Sequence, residues 1–267
     1  MKAKASEPLE LMETHMYAHN FPMHLKRALA PPRLTAGFFV TLALFSTACN
    51  DPASRINSPP LLSQSGDGPS AAASTFAVLA NATITCTNGN IAGNVGTFQA
   101  PPTGSVNLSS CPITGTVHVG DALSQQAFNN FLGEYTRLAP RPGDDCRMLT
   151  GSLDGRTLKP GVYCFASDAT LTGVLTLKGP SHKKWNFKVG TSGIGALTGT
   201  NFSVVMAGGG RTCNVTWWVA DGATMTTSAF RGNILAGKAV SLTGGTLKGN
   251  AWAKADATVT GTKLTPC

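Results

Sequence analysis

The sequence predicts an all-β fold, a β-solenoid of three-stranded coils with one long α-helix packed along one face. Three observations lead there. The C-terminal part repeats itself every seventeen residues, threonine alternates with aliphatic residues inside the repeat, and one isolated stretch has helical periodicity.

"TMTTSAFRGNILAGKAVSLTG" (Thr224 to Gly244) lies over "SLTGGTLKGNAWAKADATVTG" (Ser241 to Gly261) when shifted by seventeen residues. Thr226, Thr243 and Thr260 share a column, as do Phe230, Leu247 and Leu264; Gly232 matches Gly249, and Asn233 matches Asn250. A fixed period marks a solenoid, whose coils bury their apolar faces only by stacking. Seventeen residues are too few for two packed helices and suit three short strands joined at tight corners. Registers are read at 209–225, 226–242 and 243–259, with a partial one from 260.

Side chains alternate across a strand. In "ATMT", "VSLT" and "ATVT", Met225, Leu242 and Val259 therefore point inward, while Thr224, Ser241, Thr258 and Thr226, Thr243, Thr260 form two outward ladders. Thr170 and Thr172, and Thr198 and Thr200, extend the ladders, and Thr83-Ile84-Thr85 and Thr114-Gly115-Thr116 are read as further members. A second strand per coil comes from "VTWWVA", "GNILAG" and "GNAWAK". Trp217, Ile234 and Ala251 share one column and Trp218, Leu235 and Trp252 the next, so one apolar row must face outward and needs a cover.

The helix supplies that cover. Asp121 can cap it, Pro140 and Pro142 stop it, and Leu123, Ala127, Phe128, Phe131, Leu132, Tyr135 and Leu138 make one apolar stripe. Over residues 122–138 the rod is about 25 Å long, which matches about five strands stacked at about 4.8 Å.

Residues 1–22 precede any plausible leader and read as a mis-assigned start. Residues 23–48 read as a signal peptide: Lys26, Arg27 and Arg33 precede the apolar run "LTAGFFVTLALFSTA". Ordinary cleavage after small residues, lipidation of Cys49 and a retained anchor are the three outcomes, with lipidation preferred. Residues 49–73 are a Pro/Ser/Gly-rich tether, and 74–267 are the folded domain. An exported chain pairs its cysteines. Cys146–Cys164 is the preferred bridge and Cys86–Cys111 the second, while Cys213, in an inward column, reads as a buried free thiol.

From residue 50 onward, 16 Lys and Arg stand against 10 Asp and Glu, placed singly, which argues against a nucleic-acid partner. The carboxylates do not converge: Asp154, Asp168, Asp221 and Asp256 fall at corners, and His118 reads as a structural hydrogen-bonding residue. No metal spacing, phosphate loop or nucleophile elbow is present, so neither an enzyme nor a cofactor is expected.

"FAVLANATIT", "ITGTVHVGDALSQQA", "TLKPGVYCFASDATLTGVLTL", "WNFKVG", "CNVTWWV" and "FRGNILAGKAVSLTGGTLKGNAWA" resemble the microbial ice-binding (antifreeze) family over nearly all of 74–267. The resemblance implies a right-handed triangular β-helix with a helix on one face, a Cys146–Cys164 bridge, and a final coil stacked near the first, which would bring Cys267 near Cys86 or Cys111. It also implies an ice surface as partner. The expected contact residues are Thr170, Thr172, Thr198, Thr200, Thr224, Thr226, Ser241, Thr243, Thr258 and Thr260, acting in a monomer. Membrane attachment would come only through a lipid on Cys49. A surface scaffold or adhesin without ice activity is the alternative.

Overall fold

The computed structural model describes residues 71–267. The start segment, the signal peptide, Cys49 and most of the tether lie outside the described residues. The tether's last residues fall inside them: Ala71–Ser74 is a helical turn, and Ala73 is buried beneath the long helix.

Every strand pairing is parallel. Among the described residues nine strands form one sheet and twelve the other. The second sheet folds across two walls, because Ala169–Lys178 and Leu197–Ala207 each run through both. A typical coil runs Ala223–Thr226, Ala229–Arg231, Asn233–Ala236, and the next begins at Val240. The first wall carries the tryptophans, the second the threonine ladders, and the third the strands Ala229–Arg231, Thr246–Lys248 and Lys263–Thr265.

The stack does not follow chain order. Val78 pairs with Ala251, Cys86 with Val259 and Ile91 with Leu264, so the first coil sits on the last. Thr216 pairs with Asn233 at the expected step of seventeen. The step grows to 26 where Leu197 pairs with Ala223 and to 28 where Ala169 pairs with Leu197.

Opposite facing of neighbours explains the first wall. Trp217 points inward and stacks on Phe187 at 3.9 Å. Trp218 points outward into a cluster with Leu235, Trp252, Phe76, Leu79 and the helix. The helix, Ala122–Leu138, thus lies over five successive strands, from Asn94–Thr97 to Val215–Val219. Both outward indoles are satisfied, Trp218 Nε1 donating to the Tyr135 carbonyl and Trp252 Nε1 to that of Phe76, each at 2.9 Å. Leu123 leaves the expected stripe and is 41% exposed, while its neighbour Ser124 is fully buried in the same turn.

Asp121 caps the helix by accepting from Ser124 N–H at 2.8 Å. Burial pushes its carboxyl up, but the Ser124 bonds and His118 outweigh this and hold it below the usual carboxylate range. His118 Nδ1 lies 2.6 Å from Asp121 Oδ2, the structural role its sequence position suggests. Past the helix, Asp144 accepts from Lys188 at 2.6 Å and from Arg141 N–H at 2.9 Å, tying the Pro-rich turn to the wall.

One corner repeats without exception. Each threonine-wall strand ends on a left-handed residue: Ser110, Asn88, Gly261, Gly244, Thr227, Asn201 and Gly173. The adjoining backbone carries the inter-coil ladder around the bend, as where Thr227 N–H donates to the Thr243 carbonyl and Gly244 N–H to that of Thr260, each at 2.7 Å. Thr227, at φ 49°, is the β-branched member of this column.

Two bridges follow expectation, Cys86–Cys111 and Cys146–Cys164. The third corrects it: Cys213 is bonded to Cys267. Ser203, not Thr212, pairs with Ala229, so the seventeen-residue register fails before Val215. The chain between forms a loop and the 3-10 turn Thr212–Asn214, which places Cys213 at the surface rather than in an inward column. Cys267 is accordingly bonded to neither Cys86 nor Cys111.

Three measurements test this packing. Non-reducing peptide mapping should recover a Cys213–Cys267 peptide, and Cys213→Ser should cost about 2–4 kcal/mol; a reactive Cys213 thiol in the native chain would refute the pairing. Thr227→Asn relieves a β-branched residue from the left-handed region and should stabilise by about 0.5–1 kcal/mol in denaturant melts. Burial, with Asp221 nearby, raises the Tyr135 phenol to about 12, and its hydroxyl donates to the Val219 carbonyl at 3.0 Å. A raised phenol pKa contributes stability fully present below the unfolded value near 10 and lost as pH rises through 12. Tyrosinate absorbance should therefore show one phenol ionising near 12 together with loosening of the helix, whereas ionisation near 10 in a folded chain would contradict it.

Candidate functional site

The threonine wall is built from the inside out. Along it, Ala169, Leu197, Ala223, Val240, Ala257 and Ile84 form one buried column, and Leu171, Gly199, Met225, Leu242, Val259 and Cys86 another. Gly199 has no side chain, and the Met225 sulfur fills the space beneath it. Small, closely packed interiors hold neighbouring strands level.

Outward residues then fall into two straight rows. In pairing order, the first is Asn107, Thr85, Thr258, Ser241, Thr224, Thr198 and Thr170. The second is Ser109, Thr87, Thr260, Thr243, Thr226 and Thr200. Thr172 stands just before the left-handed Gly173, as Thr200 stands before Asn201, though the ladder shifts register there. All ten expected residues thus lie on one wall. Thr170, Thr172, Thr200, Thr224, Thr243 and Thr258 are exposed, and Thr198, Thr226, Ser241 and Thr260 are half-buried.

Two expectations move. At the top of the stack the facing pair is Thr85 and Thr87 rather than Thr83 and Thr85, because Cys86 pairs with Val259. Thr83 sits one step earlier, where its N–H donates to Asp256 Oδ1 at 2.8 Å. Thr114 and Thr116 are not on this wall: Gly93 N–H donates to Thr114 Oγ1 at 3.0 Å, and Thr116 N–H donates to Asn94 Oδ1 at 2.9 Å, at the opposite corner. Asn107, Ser109 and Thr87 were missed. The alternation of Thr83 to Thr87 is the only signal for Thr87 and fits two registers, while "SVNLS" has no T-x-T motif to mark Asn107 and Ser109.

Neither row contains a charged side chain. The corner carboxylates serve the backbone: Asp168 Oδ1 accepts from Ala196 N–H and Asp256 from Thr83 N–H, each at 2.8 Å, while Asp221 pairs with Lys238 at 2.7 Å. No group of His, Cys, Asp or Glu among the described residues could hold a metal ion. The wall therefore offers hydroxyls and methyls at fixed spacing, about 4.8 Å between coils and about 6.6 Å between rows. Its β-branched side chains are stiff at χ1. Such a surface orders water or meets a rigid lattice; it has no group placed to transfer a proton.

Comparison with known proteins gives the same direction. The Ice-binding-like family matches residues 78–265. An ice-binding protein of Nostoc sp. (strain HG1) is 36% identical over 180 residues, which cover 65% of this chain and 63% of that protein. One from Colwellia sp is 30% identical over 191 residues, covering 65% and 73% respectively. The crystal structure of an ice-binding protein from the Antarctic ascomycete Antarctomyces psychrotrophicus superposes with a TM-score of 0.65 at 29% identity, over 73% of this chain and 96% of that one. The chain thus spans under two thirds of the Nostoc protein's length. A family match over most of the chain, on a parallel β-solenoid with one covering helix, settles membership: the chain belongs to the ice-binding-like family.

Proposed function

We propose that this chain adsorbs to ice through the threonine wall and slows ice growth or recrystallisation, acting outside the cell as a monomeric, right-handed triangular β-helix. One observation carries the reading: seven coils bring hydroxyl and amide side chains into two straight, uncharged rows on a wall the helix does not cover. The ice-binding names of the relatives favour it over a scaffold or adhesin without ice activity.

The mechanism is multivalent matching. Each threonine offers a hydroxyl to hold a lattice water and a methyl to order its neighbours, and a locked rotamer loses little entropy on docking. Single contacts are weak, but a rigid array engages many at once. Adsorbed molecules pin the ice front into curved patches between them, which lowers the local freezing point. The contact set is Thr170, Thr172, Thr198, Thr200, Thr224, Thr226, Ser241, Thr243, Thr258 and Thr260, extended by Thr85 and Thr87. Export through residues 23–48 and a lipid on Cys49 belong to the same proposal.

Thr243→Tyr combined with Thr258→Tyr places two large rings on the wall's centre. Thermal hysteresis and recrystallisation inhibition should fall by about tenfold or more, with circular dichroism and melting unchanged. Full ice activity in that folded variant would remove this wall from consideration.

A further inference from the structure

The third wall carries a charge pattern that ice adsorption does not use. Lys263, Lys248 and Arg231 lie on three successive coils, and Lys178 lies on a fourth two coils further along. Register gives their lateral positions. Lys263 shares a column with Thr246 and Ala229; Lys248 pairs with Arg231 in the next; Lys178, paired with Ala207, is further still toward the strand ends. The four cations thus cross the wall as one oblique stripe, rising about 19 Å along the stack.

Carboxylates are segregated away from it. Among the described residues, Asp121 and Glu134 belong to the helix, Asp144 and Asp145 follow it, and Asp168, Asp221 and Asp256 sit at the corner entering the threonine wall. Asp154, at the wall's edge, accepts from Val174 N–H at 2.7 Å. The side chains of Lys178, Lys248 and Lys263 are exposed, and the Arg231 guanidinium is held in place by donating to the Val204 carbonyl at 2.8 Å. Arg231, Lys248 and Lys263 line a depression of about 260 Å³ together with Thr246 and Thr265.

From this geometry we infer a second docking surface, for a linear anionic polysaccharide bearing carboxylate or sulfate groups. A stripe of single charges with hydroxyls between them follows an extended chain of charged sugars, which hydrogen-bonds between its charges. A bilayer fits less well, because among the described residues the large exposed hydrophobics near the stripe are Val174 and Val205. Nucleic acid fits less well too: the wall's aromatic rings, Phe202 and Phe230, are buried, leaving nothing on which bases could stack. The threonine wall would remain free for ice while this one is occupied.

The test uses the full chain on immobilised alginate, dextran sulfate and neutral dextran, with phosphatidylcholine–phosphatidylglycerol vesicles in parallel. Binding to both charged polymers and not to neutral dextran is expected, weakening as salt rises. K178Q/K248Q/K263Q should reduce affinity about tenfold, while R137Q/R141Q/K238Q, which removes equal charge elsewhere, should leave it within about twofold; melting curves establish that both variants fold. Equal losses in the two variants, tighter binding to vesicles than to polysaccharide, or no binding at low salt would each overturn the assignment.

Discussion

A coil of seventeen residues has no interior of its own. Leu242 or Val259 loses contact with water only when the coils above and below are in place, so burial and the inter-strand ladder form together. Everything else is tied to that ladder. A corner that drifted by one residue would turn the inward column outward, which is why the same left-handed position recurs from Ser110 to Gly173. The levelness of the threonine rows is a by-product of keeping the core dry.

The three walls divide the labour by what lies outside them. The tryptophan wall is apolar on both sides and so requires the helix; Tyr135 of the helix and Trp218 of the wall each donate to the other element's backbone. The threonine wall stays uncovered because its outward residues satisfy themselves in water. The third wall takes the positive charge that the threonine rows exclude, and the carboxylates go mostly to corners, where they hold backbone N–H groups that the ladder leaves over.

Much of this was legible because it depends on alternation. The outward row of Trp218, Leu235 and Trp252 and the helix over 122–138 both follow from local spacing, and they are found where spacing puts them. Register is another matter. A slip of two residues leaves every side chain facing the same way, so Thr83 to Thr87 could not announce which two of its threonines join the rows. The loop before Val215 interrupts the repeat without a periodic trace, which hid the true place of Cys213. Stacking of the first coil on the last is a long-range choice with no local signature; only the family resemblance pointed to it.

That out-of-order stacking sets a timetable. The layer of Ala257–Thr260 follows every other threonine-wall strand in the chain yet ends up inside the pile, between Val240–Thr243 and Thr83–Thr87. Until it is synthesised, the early strands have an apolar edge and nothing to lean on, and the helix has only part of its bed. The join between the early and the late coils therefore runs through this layer, and its removal would part the two halves rather than trim a single layer from one end.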